Sequence, residues 1–192
     1  MPIKGASHEI ARNILKGVAT VNPNQPTIPE ASTSDASRQV LTFCLGAETY
    51  GVDILSVQEI RGWAPVTRLP QAATHLLGVL NIRGSIVPVI DMRVRFGLEQ
   101  AQFTPVTVIV VLSVMSSSGR REFGLVVDSV SDVVGIDAAK LQDPPSLGSK
   151  INAELVKGLA TVADRMLILL DVNELIRCDM EQSESPILAG AA

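Results

Sequence analysis

Aromatic side chains are scarce. Phenylalanine, tryptophan and tyrosine together make up 3% of the 192 residues, too few to build a stacking platform for single-stranded nucleic acid. The formal net charge of -4 argues against a phosphate-binding surface spread over the protein. The two cysteines, Cys44 and Cys178, lie far apart without metal-ligand spacing. Cys44 falls in a strand-like run and reads as a small buried apolar group. The two histidines, His8 and His75, fall in a tail and a short helical stretch, and neither has a plausible nucleophile or metal companion. There is no G-x-S-x-G elbow, phosphate loop or dinucleotide fingerprint. No long hydrophobic run is present either. Val106 to Val114 is too short to span a bilayer and is broken by Thr107 and Ser113. Without a signal-peptide pattern, a cytoplasmic protein with reduced thiols is expected.

What the chain does have is valine, isoleucine and leucine in short runs between turn formers. The clearest case is Gly78 to Asp91, two β-branched runs around the polar turn Asn81 to Ser85, which predicts strand, turn, strand. Pro88 lacks an N–H, so its strand should lie at an edge or carry a bulge. Upstream, Leu41, Phe43 and Leu45 alternate with Val40, Thr42 and Cys44 before the turn Gly46 to Thr49. Tyr50, Val52 and Ile54 then alternate as a hairpin partner. Leu55 to Ile60 is expected to continue that strand, with Val57 and Glu59 on one face. Ala72 to Leu77 reads as a short helical stretch ended by Gly78. Val106 to Val114 is apolar almost throughout and is expected to be covered on both faces. Glu122 to Val134 reads as a returning strand and Met166 to Leu170 as the last one. Asp171 with Glu174 resembles an acidic capping box opening a helix through about Arg177.

The flanks differ in composition. Residues 1–38 form an extension. In it His8 to Ala19 carries Ile10, Ala11, Ile14, Leu15 and Val18 at helical spacing, while Asn22 to Ser37 is a linker rich in Pro, Ser and Thr. The first stretch fits either a short amphipathic helix or a frayed tail. The compact domain is expected over 39–178, with a tail over 179–192.

The domain repeats itself. Tyr50 to Ile60 aligns without gaps on Phe123 to Val133, and Gly78 to Asp91 aligns on Gly158 to Asp171 with equal spacing. Two matched blocks in the same order predict two similar β subdomains, each a small barrel, with a groove between them for a partner. The copies diverge where Asn81-Ile-Arg-Gly84 faces Thr161-Val-Ala-Asp164. Spacing alone favours Arg83 as an ordinary exposed arginine over a binding one. Asp91, Asp128 and Asp171 stand at strand ends, where turn or capping bonds explain them better than a catalytic dyad. The pattern therefore points to binding and not to turnover.

Tyr50-Gly-Val-Asp-Ile, Val57-Gln-Glu-Ile-Arg61, Gly78-Val-Leu-Asn-Ile-Arg-Gly84, Pro88-Val-Ile-Asp91, Val126-Val-Asp-Ser-Val130 and Asp164-Arg-Met-Leu-Ile168 resemble the CheW family of bacterial chemotaxis coupling proteins. The resemblance runs from about Gln39 to Ile176. It implies a mainly β fold of two tandem five-stranded SH3-like β-barrel subdomains with short helices and flexible tails. It also implies a non-enzymatic adaptor, without cofactor, metal, nucleic acid or membrane insertion. Such an adaptor joins the cytoplasmic tips of methyl-accepting chemoreceptors to the regulatory domain of the histidine kinase CheA, in the cytoplasm at membrane-associated arrays. By the same resemblance Val57, Glu59, Gly78, Arg83, Val108, Gly124 and Val130 face the receptor, with a rim ion pair between Glu59 and Arg83. Pro145 and Leu147 face the kinase, Leu147 standing where the family often has an aromatic. A coupler for another chemosensory output, such as pili, fits the same residues.

Overall fold

The computed structural model describes residues 37–99, 102–116, 119–144 and 153–183. The expected amphipathic stretch at 8–19, its linker, Pro145, Leu147 and the tail from 184 lie outside the described residues. Among the described residues, ten strands and two α-helices carry the fold. The strands are β1 (Ser37–Leu45), β2 (Glu48–Asp53), β3 (Val57–Gly62), β4 (Leu76–Ile82), β5 (Ser85–Asp91), β6 (Val108–Ser116), β7 (Gly119–Val127), β8 (Ser129–Asp137), β9 (Val156–Val162) and β10 (Arg165–Leu170). Helix α1 (Met92–Arg95) follows β5, and α2 (Val172–Ser183) follows β10. Asp91 and Asp171 cap the two helices in the same way. Asp91 Oδ1 accepts from the N–H groups of Arg93 and Val94, and Asp171 Oδ1 from those of Asn173 and Glu174.

Two five-stranded sheets form, ordered β8-β1-β2-β10-β9 and β3-β6-β7-β5-β4. The position-by-position match of the two orders follows the sequence repeat, since β3, β4, β5, β6 and β7 correspond to β8, β9, β10, β1 and β2. The subdomains are nonetheless not successive halves of the chain. Each half sends its first hairpin into the other half's sheet, so that β1–β2 completes the sheet of β8–β10 and β6–β7 completes that of β3–β5. In each sheet the inserted hairpin is joined on one side by a parallel pairing, β10 with β2 and β5 with β7, and on the other by an antiparallel one, β1 with β8 and β3 with β6.

Three apolar clusters follow from this arrangement. One lies inside each sheet's own curl. Ile82, Val87, Val89, Ile109, Val111 and Val126 fill the first, and Val40, Ile136, Ala160, Leu167 and Leu169 fill the second. The largest lies between the sheets and takes residues from both, including Leu41, Phe43, Tyr50, Leu112, Phe123 and Leu125, with Leu175 and Ile176 of α2. Strand β6 gives Val110 and Leu112 to the central cluster and Ile109 and Val111 to its own sheet, so it is covered on both faces as expected. The space between the sheets holds the main core, so a groove of the expected kind is confined to the surface of their junction. A partner has the rim of that junction to work with.

The repeated aromatic–glycine pairs now have a physical reason. Tyr50 and Phe123 point into the central core, and the glycine beside each points into its own sheet's interior. A Cβ on Gly51 would lie 2.4 Å from Val40 Cγ1, and one on Gly124 2.8 Å from Ile109 Cγ2. Tyr50 also stacks on Phe43 and Phe96. Burial, with Glu48 adding to it, pushes the Tyr50 hydroxyl above its ordinary pKa of 10.0. The unfolded chain ionises first as pH rises, so the folded state then binds more protons and loses stability. Urea midpoints measured against pH should be unaffected by this group below about 9 and should fall above pH 10.0. The Tyr50→Phe variant should show a shallower alkaline fall.

Local expectations fail in three places, each for a tertiary reason. Residues 72–77 are not helical, since 74–75 make a turn and β4 begins at Leu76. Its backbone is taken up by pairing with β5. Leu55 to Ile60 is not one strand, because Asp53 starts a 3-10 turn at Ile54–Ser56 by accepting from the Leu55 N–H at 3.0 Å. A bulge between Val57 and Glu59 then turns Val57 into the central core and Glu59 away from it. The run from Glu122 to Val134 breaks at Asp128, where the chain leaves one sheet for the other. Pro88 lies between two paired strands and not at an edge, and the bulge expected as the alternative stands beside it, where the β4–β5 register shifts between Leu76 and Gly78. Its β4 partner Val79 sends both its N–H and its C=O to Thr67. Pro88 therefore meets no demand from β4 for the N–H it lacks.

Candidate functional site

The β4–β5 hairpin turns on two residues, Arg83 and Gly84, both at positive φ (53° and 94°). This is the primed geometry that suits a twisted hairpin. Asn81 Oδ1 accepts from the Gly84 N–H at 2.9 Å and fastens the turn. The equivalent turn in the other sheet, Ala163 and Asp164, also has two positive φ values. The backbone geometry is thus a property of the repeat, and the arginine is particular to this copy.

Arg83 Nη2 lies 2.8 Å from Glu59 Oε2. Strands β3 and β4 stand at opposite ends of the sheet order, so the contact exists because the sheet curls round on itself. The Arg83 side chain remains 85% exposed, and Glu59 is 22% exposed. A pair so open to water contributes about 0.2–1 kcal/mol to stability. Its use is to hold a cation and a carboxylate in fixed register at the sheet's rim.

The other positions separate by burial. Val57 and Val108 are in the central core, and Gly124 is buried with Ile109 against its open side. Gly78 is crossed by the chain at Thr67, with a Cβ there meeting Thr67 O. These four shape the sheet from within. Val130 is half-buried against the central core and is the repeat equivalent of Val57. Among the named residues, then, the structure pairs Glu59 with Arg83 and places Val57 and Val130 at matching margins of one core.

The three carboxylates at strand ends are engaged. Asp91 and Asp171 cap helices, and Asp128 accepts from Arg93 Nη1 at 2.6 Å and from the Gly46 N–H at 2.7 Å. That staple ties α1 and the β7–β8 junction to the β1–β2 turn across the two sheets. The residues alone did not suggest it, because Arg93 and Asp128 lie 35 positions apart and match no local motif. Among the described residues no group of three or more His, Cys, Asp or Glu is placed to hold a metal ion. Nor is any helix among them long and apolar enough to cross a membrane.

A family profile described as the CheW-like domain matches residues 39–179. The chain belongs to the CheW-like family. The chemotaxis protein CheW of Klebsiella aerogenes is 39% identical over 150 residues, covering 78% of this chain and 88% of the relative. A probable chemotaxis protein CheW of Rhizobium etli is 34% identical over 144 residues, covering 75% and 90%. Among solved structures, the scaffolding protein CheW of Thermoanaerobacter tengcongensis superposes with a TM-score of 0.65 at 28% identity, covering 76% of this chain and 91% of that one. The CheW match takes in both interleaved sheets from β1 to α2, so the hairpin exchange lies wholly inside it.

Proposed function

We propose that this CheW-like chain is a chemotaxis adaptor. It holds the cytoplasmic tips of methyl-accepting chemoreceptors to the regulatory domain of the histidine kinase CheA and transforms no substrate. Its place is the cytoplasm beside membrane-associated receptor arrays, and residues 39–178 act as one unit. The observation that carries the reading is the Glu59–Arg83 pair, a presented cation and carboxylate at 2.8 Å on a rigid hairpin tip. The strand-end carboxylates that could have served chemistry are meanwhile engaged in caps and a staple. On the receptor side, Val130 at the junction's margin offers an apolar contact to a helical hairpin, while Glu59 and Arg83 fix its register. Val57, Val108, Gly78 and Gly124 act beneath that surface by holding its shape. The kinase side we assign to the second sheet and to Pro145 and Leu147.

Arg83→Glu tests the receptor arm. Binding of a receptor signalling fragment should weaken about tenfold or more, roughly 1.4 kcal/mol. The urea midpoint should move by no more than about 1 kcal/mol implies. Adding Glu59→Arg restores an ion pair within the protein but should not restore binding, because the receptor reads the signs of the charges. Undiminished binding by Arg83→Glu in calorimetry would remove this surface from the receptor site.

A further inference from the structure

The two hairpin tips that match by the repeat, 82–85 and 162–165, give a comparison inside one molecule. Both turn on two residues at positive φ, Arg83 and Gly84 at 53° and 94°, Ala163 and Asp164 at 48° and 62°. Both close with the same pairing, Ile82 with Ser85 and Val162 with Arg165. One copy carries an addition. Asn81 Oδ1 accepts from the Gly84 N–H at 2.9 Å, whereas the residue matching Asn81 is Thr161, whose shorter side chain has no amide oxygen to offer. The clamp does little for the fold. Asn81, Arg83, Gly84 and Ser85 are all exposed, and a hydrogen bond that water can replace adds little net stability. Nor does the strand ask for an asparagine. Asn81 sits in β4 opposite Ile86, a position that suits threonine better.

What the clamp does reach is Arg83. It runs from the residue two before the arginine to the residue after it, and so closes a ring of backbone around it. Glycine, asparagine and aspartate enter positive φ readily, and arginine does not. An unclamped turn relieves that strain when Arg83 returns to negative φ, which swings its side chain off the rim and away from Glu59 Oε2, now 2.8 Å from Arg83 Nη2. The ion pair is a poor restraint by itself. Arg83 is 85% exposed, and so open a pair gains little against the entropy of two long side chains. Fixing the backbone first lowers that entropic cost. We propose that Asn81 is a positioning residue for Arg83: through the Gly84 N–H it holds the arginine at positive φ, so that the guanidinium meets a partner from one place beside Glu59. That the partner is a receptor rests on the adaptor reading; the ordering of Arg83 does not.

Backbone NMR on the full chain tests the ordering without any partner. The Gly84 amide should exchange with solvent about tenfold more slowly than the Asp164 amide, after correction for intrinsic rates. Asn81→Thr, which copies the other turn, should remove that difference and lower the Arg83 order parameter from about 0.85 to below about 0.6. Asn81→Asp keeps an oxygen in place and should restore both. The urea midpoint should move by no more than about 0.5 M in either variant. Binding of the receptor signalling fragment then separates positioning from structure. Asn81→Thr should weaken it about fivefold in the unsubstituted chain and not at all in an Arg83→Ala background, because the effect runs through the arginine. The proposal is overturned if Arg83 is already mobile in the unsubstituted chain, or if its order parameter is unchanged by Asn81→Thr. It is overturned equally if the loss of binding persists in the Arg83→Ala background. If the fragment binds none of these chains, the adaptor reading falls, and the order parameters still decide the role of Asn81.

Discussion

Gly78→Ala should destabilise the protein by about 3–5 kcal/mol and lower the urea midpoint by roughly 1 M or more. The backbone at Gly78 has a φ of 146°, and an added Cβ would lie 2.2 Å from Thr67 O and 2.7 Å from Thr67 C. Those are main-chain atoms held by reciprocal hydrogen bonds between Thr67 and Val79 at 2.9 and 2.8 Å, so no side-chain rotation relieves the overlap. Gly84 is the internal control. Its φ is also positive, at 94°, but nothing lies within 4 Å of its Cβ position. Gly84→Ala should therefore cost only the conformational strain, about 1–2 kcal/mol. Loss of receptor binding in a Gly78 variant would follow from disordering of β4, the strand that presents Arg83. Equal destabilisation by the two substitutions would show that the chain crossing at Thr67 is not what demands the glycine.

The second large effect concerns the exchanged hairpins. Leu112→Ala should cost about 2–5 kcal/mol, as expected for a leucine removed from a packed core. The damage should reach both sheets. Leu112 belongs to β6, but it faces the central cluster shared with Leu41, Phe43 and Tyr50 of the other sheet. Each sheet also lacks two of its five strands until the other half of the chain has contributed its hairpin. Hydrogen exchange on the variant should show amides of β1 and β2 losing protection together with those of β6 and β7. Two separable unfolding steps, with β1 and β2 still protected after β6 has opened, would contradict a shared core.

Much of this fold is legible in the chain, and the illegible parts have a common cause. The β1–β2 and β4–β5 hairpins announce themselves by alternation and by Gly46 and Arg83-Gly84 at their turns. Asp91 and Asp171 announce their helices. The repeat gives the number and likeness of the sheets, because matching residues imply matching environments. It does not say which hairpin joins which sheet. Likeness makes β1–β2 and β6–β7 interchangeable on paper, and only the chain's path decides. Gly78 looks like a helix stop when the crossing at Thr67 is unknown, and Val57 and Glu59 look coplanar when the bulge between them is unknown. The Glu59–Arg83 pair is legible only through family resemblance, since the residues lie 24 positions apart and meet only when the sheet curls.

The adaptor reading requires that two partners be held at once. Sedimentation of the full chain with a soluble receptor signalling fragment and the regulatory domain of CheA, each carrying a different absorbance label, tests this directly. The account predicts one boundary carrying both labels, from which Arg83→Glu removes the receptor label and leaves the kinase label in place. Boundaries in which either partner displaces the other, or neither travels with the chain, would contradict it.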